Sequence, residues 1–178
     1  MPKTCDNTSV GVIITNAAGE YLMFDRNTFP SGVAPVAGHV DTHGTLRQAA
    51  EAEVREEVGL VVLSLTEVAT GWRNNRCRRQ PGPRGIGHQW TIYRAIVTGD
   101  LDPSERETRN ARWINHSDLQ TLAERTSTYA RGGLTDAQFA KAPGLEPVWV
   151  QWFYEAAAIE LEPGELRLID QIANATTP

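Results

Sequence analysis

The sequence has 178 residues, 40% of them hydrophobic and 22% charged, which suits one globular domain, or one domain with a short appendage, rather than two full domains. No stretch approaches the roughly eighteen consecutive apolar residues of a membrane-spanning helix, and the amino terminus lacks the charged-then-apolar pattern of a secretory signal. A cytoplasmic protein without a membrane partner is therefore expected. Net charge is −5, which argues against general nucleic-acid binding, yet Val68 to Gly99 contains no acid and carries Arg73, Arg76, Arg78, Arg79, Arg84 and Arg94.

In chain order, Ser9–Thr15 is β-branched and apolar, Asn16–Gly19 reads as a turn and Tyr21–Phe24 is a second apolar run, so the opening is expected to be a hairpin. A short strand follows at Val33–Val36. Thr45 opens a helix with Gln48 as its capping-box partner, and Gly59 stops it. Leu60–Val68 and Gln89–Val97 read as strands joined by a long loop rich in Gly, Pro and Arg, from Trp72 to Gly87. Ala111–Ile114 is a further strand, and Ser117 with Gln120 forms a second capping box for a helix to about Ala130. Thr135 with Gln138 marks a short helix. Two more helices follow, one over Val148–Leu161 with Trp149, Trp152, Phe153 and Ala156 at helical spacing, and one after Pro163 with Leu166, Ile169 and Ile172.

The first helix carries the candidate site. Its period puts Glu53, Glu56 and Glu57 on the same side as Leu46, Ala49 and Ala50, while Arg47, Glu51 and Arg55 occupy the opposite, solvent side. Carboxylates facing a core repel one another and need compensating cations or protons, and neither Lys nor Arg lies on that side. A hard divalent cation such as Mg²⁺, held by oxygen ligands, would compensate them. The alternative is an exposed acidic patch on a helix whose apolar stripe ends early.

The residues Gly38-His-Val-Asp-Thr-His-Gly44 before this helix, and Glu53-Val-Arg-Glu56-Glu57-Val-Gly59-Leu60 closing it, resemble the signature of the Nudix hydrolase family (MutT-like). Gly38, Glu53, Val54, Glu56, Glu57, Gly59 and Leu60 match it at the right spacing. There are two departures: Gly44 stands in place of the signature's early Glu, and Ala52 in place of its Arg. If those two residues normally support one another, losing both orphans no charge, so Ala52→Arg alone is expected to bring no gain, and the double change with Gly44→Glu to be tolerated. The resemblance extends over roughly residues 8 to 130. It implies a mixed-sheet α/β/α sandwich over residues 1–130; residues 131–178, which the resemblance does not reach, are expected from their helical spacing to be a helical extension packed on the same domain.

The resemblance further implies Mg²⁺- or Mn²⁺-dependent hydrolysis of a nucleoside diphosphate linked to another moiety, by water attack on phosphorus. Metal ligands would be Glu53, Glu56, Glu57 and the Gly38 carbonyl, and Glu107 would be an additional catalytic acid or base, with Glu105 as its competitor. Arg73, Arg76, Arg78 and Arg79 of the basic loop are candidates to clamp substrate phosphates, and an RNA 5′ end is the one nucleic acid such a loop would suit. His39 and His43 lie where either could touch phosphate; loop hydrogen bonding is the plainer role. Cys5 and Cys77 form no CxxC pair, so a thiolate zinc site is not expected; Cys77 and His88, with another histidine, approach a zinc set whose spacing fits no established pattern. The carboxy-terminal helices are candidates for a lid or a homodimer interface. The competing function is a Nudix domain that binds a nucleotide-like effector without cleaving it. A more distant competitor, the isomerase branch acting on isopentenyl diphosphate, is disfavoured because Cys77 lies in no matching motif.

Overall fold

The computed structural model describes residues 5–26, 31–41, 43–75, 77, 87–106 and 108–174. The first two strands are β1 (Thr8–Ile14) and β2 (Tyr21–Arg26). Asn16 builds the turn between them, its side-chain oxygen accepting from the N–H groups of Ala18 and Glu20. The expected hairpin nevertheless stops after a single Thr15–Tyr21 bridge. Both edges of β1 are taken by other strands, so β2 departs into a second sheet.

The expected strand at Val33–Val36 likewise splits, into β3 (Val33–Ala34) and β4 (Val36–His39), one for each sheet. Helix α1 (Leu46–Val58) begins with the Thr45–Gln48 capping box and ends at Gly59, whose φ of 73° is left-handed and whose N–H reaches the Arg55 carbonyl. Strand β5 (Val61–Arg73) runs past Val68 because β6 (His88–Thr98) continues to pair with it as far as Arg73–His88. After β7 (Thr108–Ile114), helix α2 (His116–Ala130) is capped by Asn115 rather than Ser117, the Asn115 side chain accepting from the Asp118 N–H. Helix α3 (Asp136–Lys141) has the expected Thr135 box. Helix α4 (Pro147–Glu155) ends before Leu161, with Ala157 at a φ of 53°, and α5 (Pro163–Ala173) follows.

The larger sheet has the order β4-β1-β6-β5; β1 and β6 run parallel and the other pairs antiparallel, so it is mixed. The smaller sheet is β3-β2-β7. Strand alternation divides the interior between two clusters. Val10, Val12, Ile14, Tyr93 and Ala95 pack toward α1, while Ile13, Trp90 and Ile92 pack toward Trp149, Trp152 and Phe153 of α4 and toward Leu119 of α2 and Ile169 of α5. Helices thus cover both faces, the α/β/α arrangement expected, with α4 and α5 of residues 131–178 forming part of the second layer. Gly11 makes the second packing feasible: a Cβ there would stand 2.4 Å from the Trp149 ring. The apolar side of α4 is spent within the chain, since Trp149, Trp152 and Phe153 are fully buried. Among the described residues no helix is long and apolar enough to cross a membrane.

Candidate active site

Two of the three helical carboxylates are buried, Glu53 and Glu57. Glu56 shares its side of α1 with the buried Ala49 and Ala52 yet is exposed. The buried stripe ends one turn early on that side, so the expectation of three inward carboxylates holds for two, with the third at the rim. All three still project toward one region, because residues at i, i+3 and i+4 are neighbours on a helix.

Strand β4 lies against this acidic surface. The Glu57 side chain accepts a hydrogen bond from the Ala37 N–H at 3.1 Å. Gly38 comes so close to Glu53 that a Cβ on it would stand 1.8 Å from the carboxylate oxygen. Only glycine fits there. The Ala37–Gly38 peptide and the two buried carboxylates therefore converge, which brings the Gly38 backbone beside the acids as the motif implies.

A second segment is hung from the end of the same helix. The Asp102 N–H donates to the Val58 carbonyl and the Ser104 N–H to the Glu57 carbonyl, both at 2.9 Å, and the Thr108 N–H returns to the Ser104 carbonyl. Glu105 is exposed on this segment. Glu107 lies outside the described residues, as do Arg76, Arg78, Arg79 and Arg84 of the basic loop.

Arg73 turns away from the acids. Its guanidinium pairs with Glu155 and lies 4.1 Å over the ring of Trp152, tying the end of β5 to α4. The two departures from the motif are also visible. Gly44 has a φ of 93°, where L side chains rarely sit, and a Cβ there would meet the Gln48 side chain at 2.5 Å. Ala52 is buried. The expectation that Gly44→Glu together with Ala52→Arg would be tolerated is thereby corrected: this backbone disfavours any side chain at 44.

Alternation along β4 sends Gly38 toward α1 and His39 to the other face. His39 Nε2 lies 3.2 Å from Cys77 Sγ, and its ring is 5.2 Å from that of His88. His88 Nε2 in turn lies 3.3 Å from Cys5 Sγ. Burial pushes the Cys5 thiol up to about 11 and the His88 imidazole down to about 4, the neighbouring His39 adding to the latter. Sequence reasoning found Cys77 and His88 but omitted Cys5, because no local spacing joins residues that meet only when the sheet forms.

A model of the NUDIX domain matches residues 6–133. Two relatives, from Pseudomonas aeruginosa (strain LESB58) and Stutzerimonas stutzeri (strain A1501), are each named NAD-capped RNA hydrolase NudC. The first is 27% identical over 139 residues, covering 77% of this chain and 46% of the relative; the second is 28% identical over 122 residues, covering 67% and 41%. The chain spans less than half the length of these curated relatives. Among solved structures, the MutT protein from Methanosarcina mazei Go1 superimposes with a TM-score of 0.59 at 16% identity, over 88% of this chain and 94% of that one. The NUDIX domain of Shewanella oneidensis NrtR, in a structure with ADP ribose, gives 0.51 at 16% identity over 68% and 79%. At these identities the solved structures show a common fold.

Proposed function

The chain belongs to the NUDIX domain family, and on that premise we propose that it is a metal-dependent diphosphohydrolase acting on a nucleoside diphosphate linked to another moiety. The observation that carries this reading is the convergence of the buried Glu53 and Glu57 carboxylates on the Ala37–Gly38 peptide. That donor set fits a hard cation: carboxylate oxygens at i and i+4, a third carboxylate at the solvent rim, and a strand backbone pressed against them by a glycine that admits no Cβ. Glu53, Glu56, Glu57 and the Gly38 carbonyl would hold Mg²⁺ or Mn²⁺. When bound, such an ion neutralises diphosphate oxygens and lowers the pKa of a water that attacks phosphorus.

The remaining work falls to the chain itself. Glu57 is oriented by the Ala37 N–H, and Glu53 is wedged against Gly38, so neither carboxylate needs to reorganise as charge develops on the phosphate. Glu56, at the rim, faces arriving substrate. The segment hung from the Glu57 carbonyl brings Glu105 to the same helix end, and Glu107, which the family resemblance favours, is the other candidate for a further acid or base. Because Arg73 is held by Glu155 and Trp152, the phosphate clamp is assigned to Arg76, Arg78 and Arg79.

The test is product release from nucleoside triphosphates, nucleotide sugars, dinucleoside polyphosphates, ADP-ribose and NAD-capped RNA with Mg²⁺ or Mn²⁺, beside a Glu56→Gln, Glu57→Gln control. Metal-dependent turnover lost in the control is the expected result. Tight binding of one compound, recovered unbroken after long incubation, would instead establish the effector-binding reading. The Gly44 and Ala52 departures are the observation that keeps that second reading in play.

A further inference from the structure

On the face of β4 opposite the acids, four side chains from four separate segments converge: Cys5 before β1, His39 at the end of β4, Cys77 after β5 and His88 at the start of β6. Their ligand atoms all lie within 4.8 Å of one another. We infer that Cys5, His39, Cys77 and His88 form a closed, tetrahedral Zn²⁺ site that fastens these segments together. The inference does not depend on the hydrolase reading, since it concerns different residues and a different class of metal.

The geometry supports it first. With metal–sulfur bonds of about 2.3 Å and metal–nitrogen bonds of about 2.0–2.1 Å, adjacent sulfur and nitrogen ligands of a tetrahedron stand ~3.5 Å apart. The observed Cys5–His88 and His39–Cys77 separations are 3.3 and 3.2 Å. Two independent thiol–imidazole hydrogen bonds would also give these two distances. They would not require the two pairs to gather, as all four atoms do within 4.8 Å of one another.

The surroundings support it second. The Asn75 side-chain oxygen lies 3.1 Å from His88 Nδ1 and also accepts a hydrogen bond from the Trp90 indole N–H at 3.0 Å. An oxygen in that position requires Nδ1 to carry the proton, which leaves the Nε2 lone pair directed at the cluster. This is how a metal-binding histidine is ordinarily oriented by its outer partner. On the other side, the Asn7 N–H donates to Cys5 Sγ at 3.3 Å from a backbone with a φ of 61°, the kind of contact that stabilises a thiolate. The Asn7 carbonyl and side chain are themselves bonded to Gln89 and Gly87, so the turn is tied to the start of β6.

The donor chemistry chooses the metal. Two thiolates and two imidazoles are a soft set that rejects Mg²⁺ and suits Zn²⁺, and four protein ligands leave no open position for substrate, so the site is structural. On binding, each thiol gives its proton to solvent as its sulfur–metal bond forms. Because His39 follows Gly38 directly, the zinc would also brace the strand that Glu53 and Glu57 meet.

The test is metal analysis of the full chain purified without chelator, then Co²⁺ titration of the reduced, zinc-stripped chain in excess Mg²⁺. About one zinc per chain is expected, together with the intense visible bands of tetrahedral Co²⁺ and a near-ultraviolet thiolate-to-cobalt band. Cys5→Ser and Cys77→Ser should each weaken that band, whereas Glu53→Gln, Glu57→Gln should leave it and the zinc content intact. The wild-type titration decides the matter even if a cysteine variant fails to fold. A pale octahedral Co²⁺ spectrum, zinc lost with the glutamates instead of the cysteines, a different resident metal, or a Cys5–Cys77 disulfide whose reduced form takes up no zinc would each overturn the assignment.

Discussion

The two faces of the larger sheet are built on different principles. On the α1 face, charge is drawn into the interior: Glu53 and Glu57 are buried where Val10, Val12 and Ile14 would otherwise meet only apolar side chains. On the α4 face the packing is aromatic, with Trp90 edge-on to Trp149 at 6.0 Å and close to Trp152; the carboxylate buried there, Glu146 at the start of α4, is paired with Arg26 at 2.7 Å, and His88 meets Trp90 at one end. The first face gathers its carboxylates on one helix, whereas the second face is dominated by rings that supply stability. Buried carboxylates cost several kcal/mol unless compensated, whereas each buried aromatic ring removes about 150–250 Å² from water.

That contrast can be broken most directly from the acidic side. Glu53→Gln with Glu57→Gln should lower kcat/KM by on the order of 10³-fold or more while leaving the denaturation midpoint unchanged or raised; a loss of only a few-fold would remove the chemistry from this face. Trp149→Ala should do the reverse, costing about 3–5 kcal/mol of stability in urea unfolding, with kcat per folded molecule preserved at low temperature. Gly38→Ala sits on the boundary: its Cβ would displace the Glu53 carboxylate, so turnover should fall by roughly 10²-fold, with a smaller shift in Tm. The mildest test is Gly44→Ala. A left-handed backbone and the nearby Gln48 predict a loss of about 1 kcal/mol, read from the same unfolding curves, and no change in zinc content.

How much of this was legible in the sequence follows the same division. Helix α1, its Thr45 cap, its Gly59 stop and its acids are encoded within a few turns of one helix, so periodicity and capping chemistry expose them. The resemblance carried by Gly38 to Leu60 then supplies the fold. What depends on distant partners is not legible. The Asn16 turn looks like a hairpin, and only the competition of β4 and β6 for β1 dissolves it. Arg73 reads as one more cation of the basic loop until Glu155 and Trp152, on a helix far along the chain, claim it. The Cys5–His88 pair spans 83 positions and the His39–Cys77 pair 38, so neither has a local spacing to recognise. Ser117 satisfies the rule for a helix cap, but Asn115 does so two residues sooner and wins.

The closure of Trp149 over Gly11 bears on the order in which the protein can be made. A growing chain exposes β1 first, and α1 follows soon enough to cover its Val10, Val12 and Ile14 side. Ile13, Trp90 and Ile92 gain a first neighbour in Leu119 of α2 but lack their aromatic cover until α4 emerges, well after β6 is made. Until then the sheet carries a bare tryptophan surface of the kind that chaperones hold and aggregates recruit. The parallel pairing of β1 with β6 adds a long loop to close before any reward is gained. Helix α4 therefore acts as a release signal: the second face of the nascent sheet loses its exposed aromatic surface only when this distant segment folds back over it.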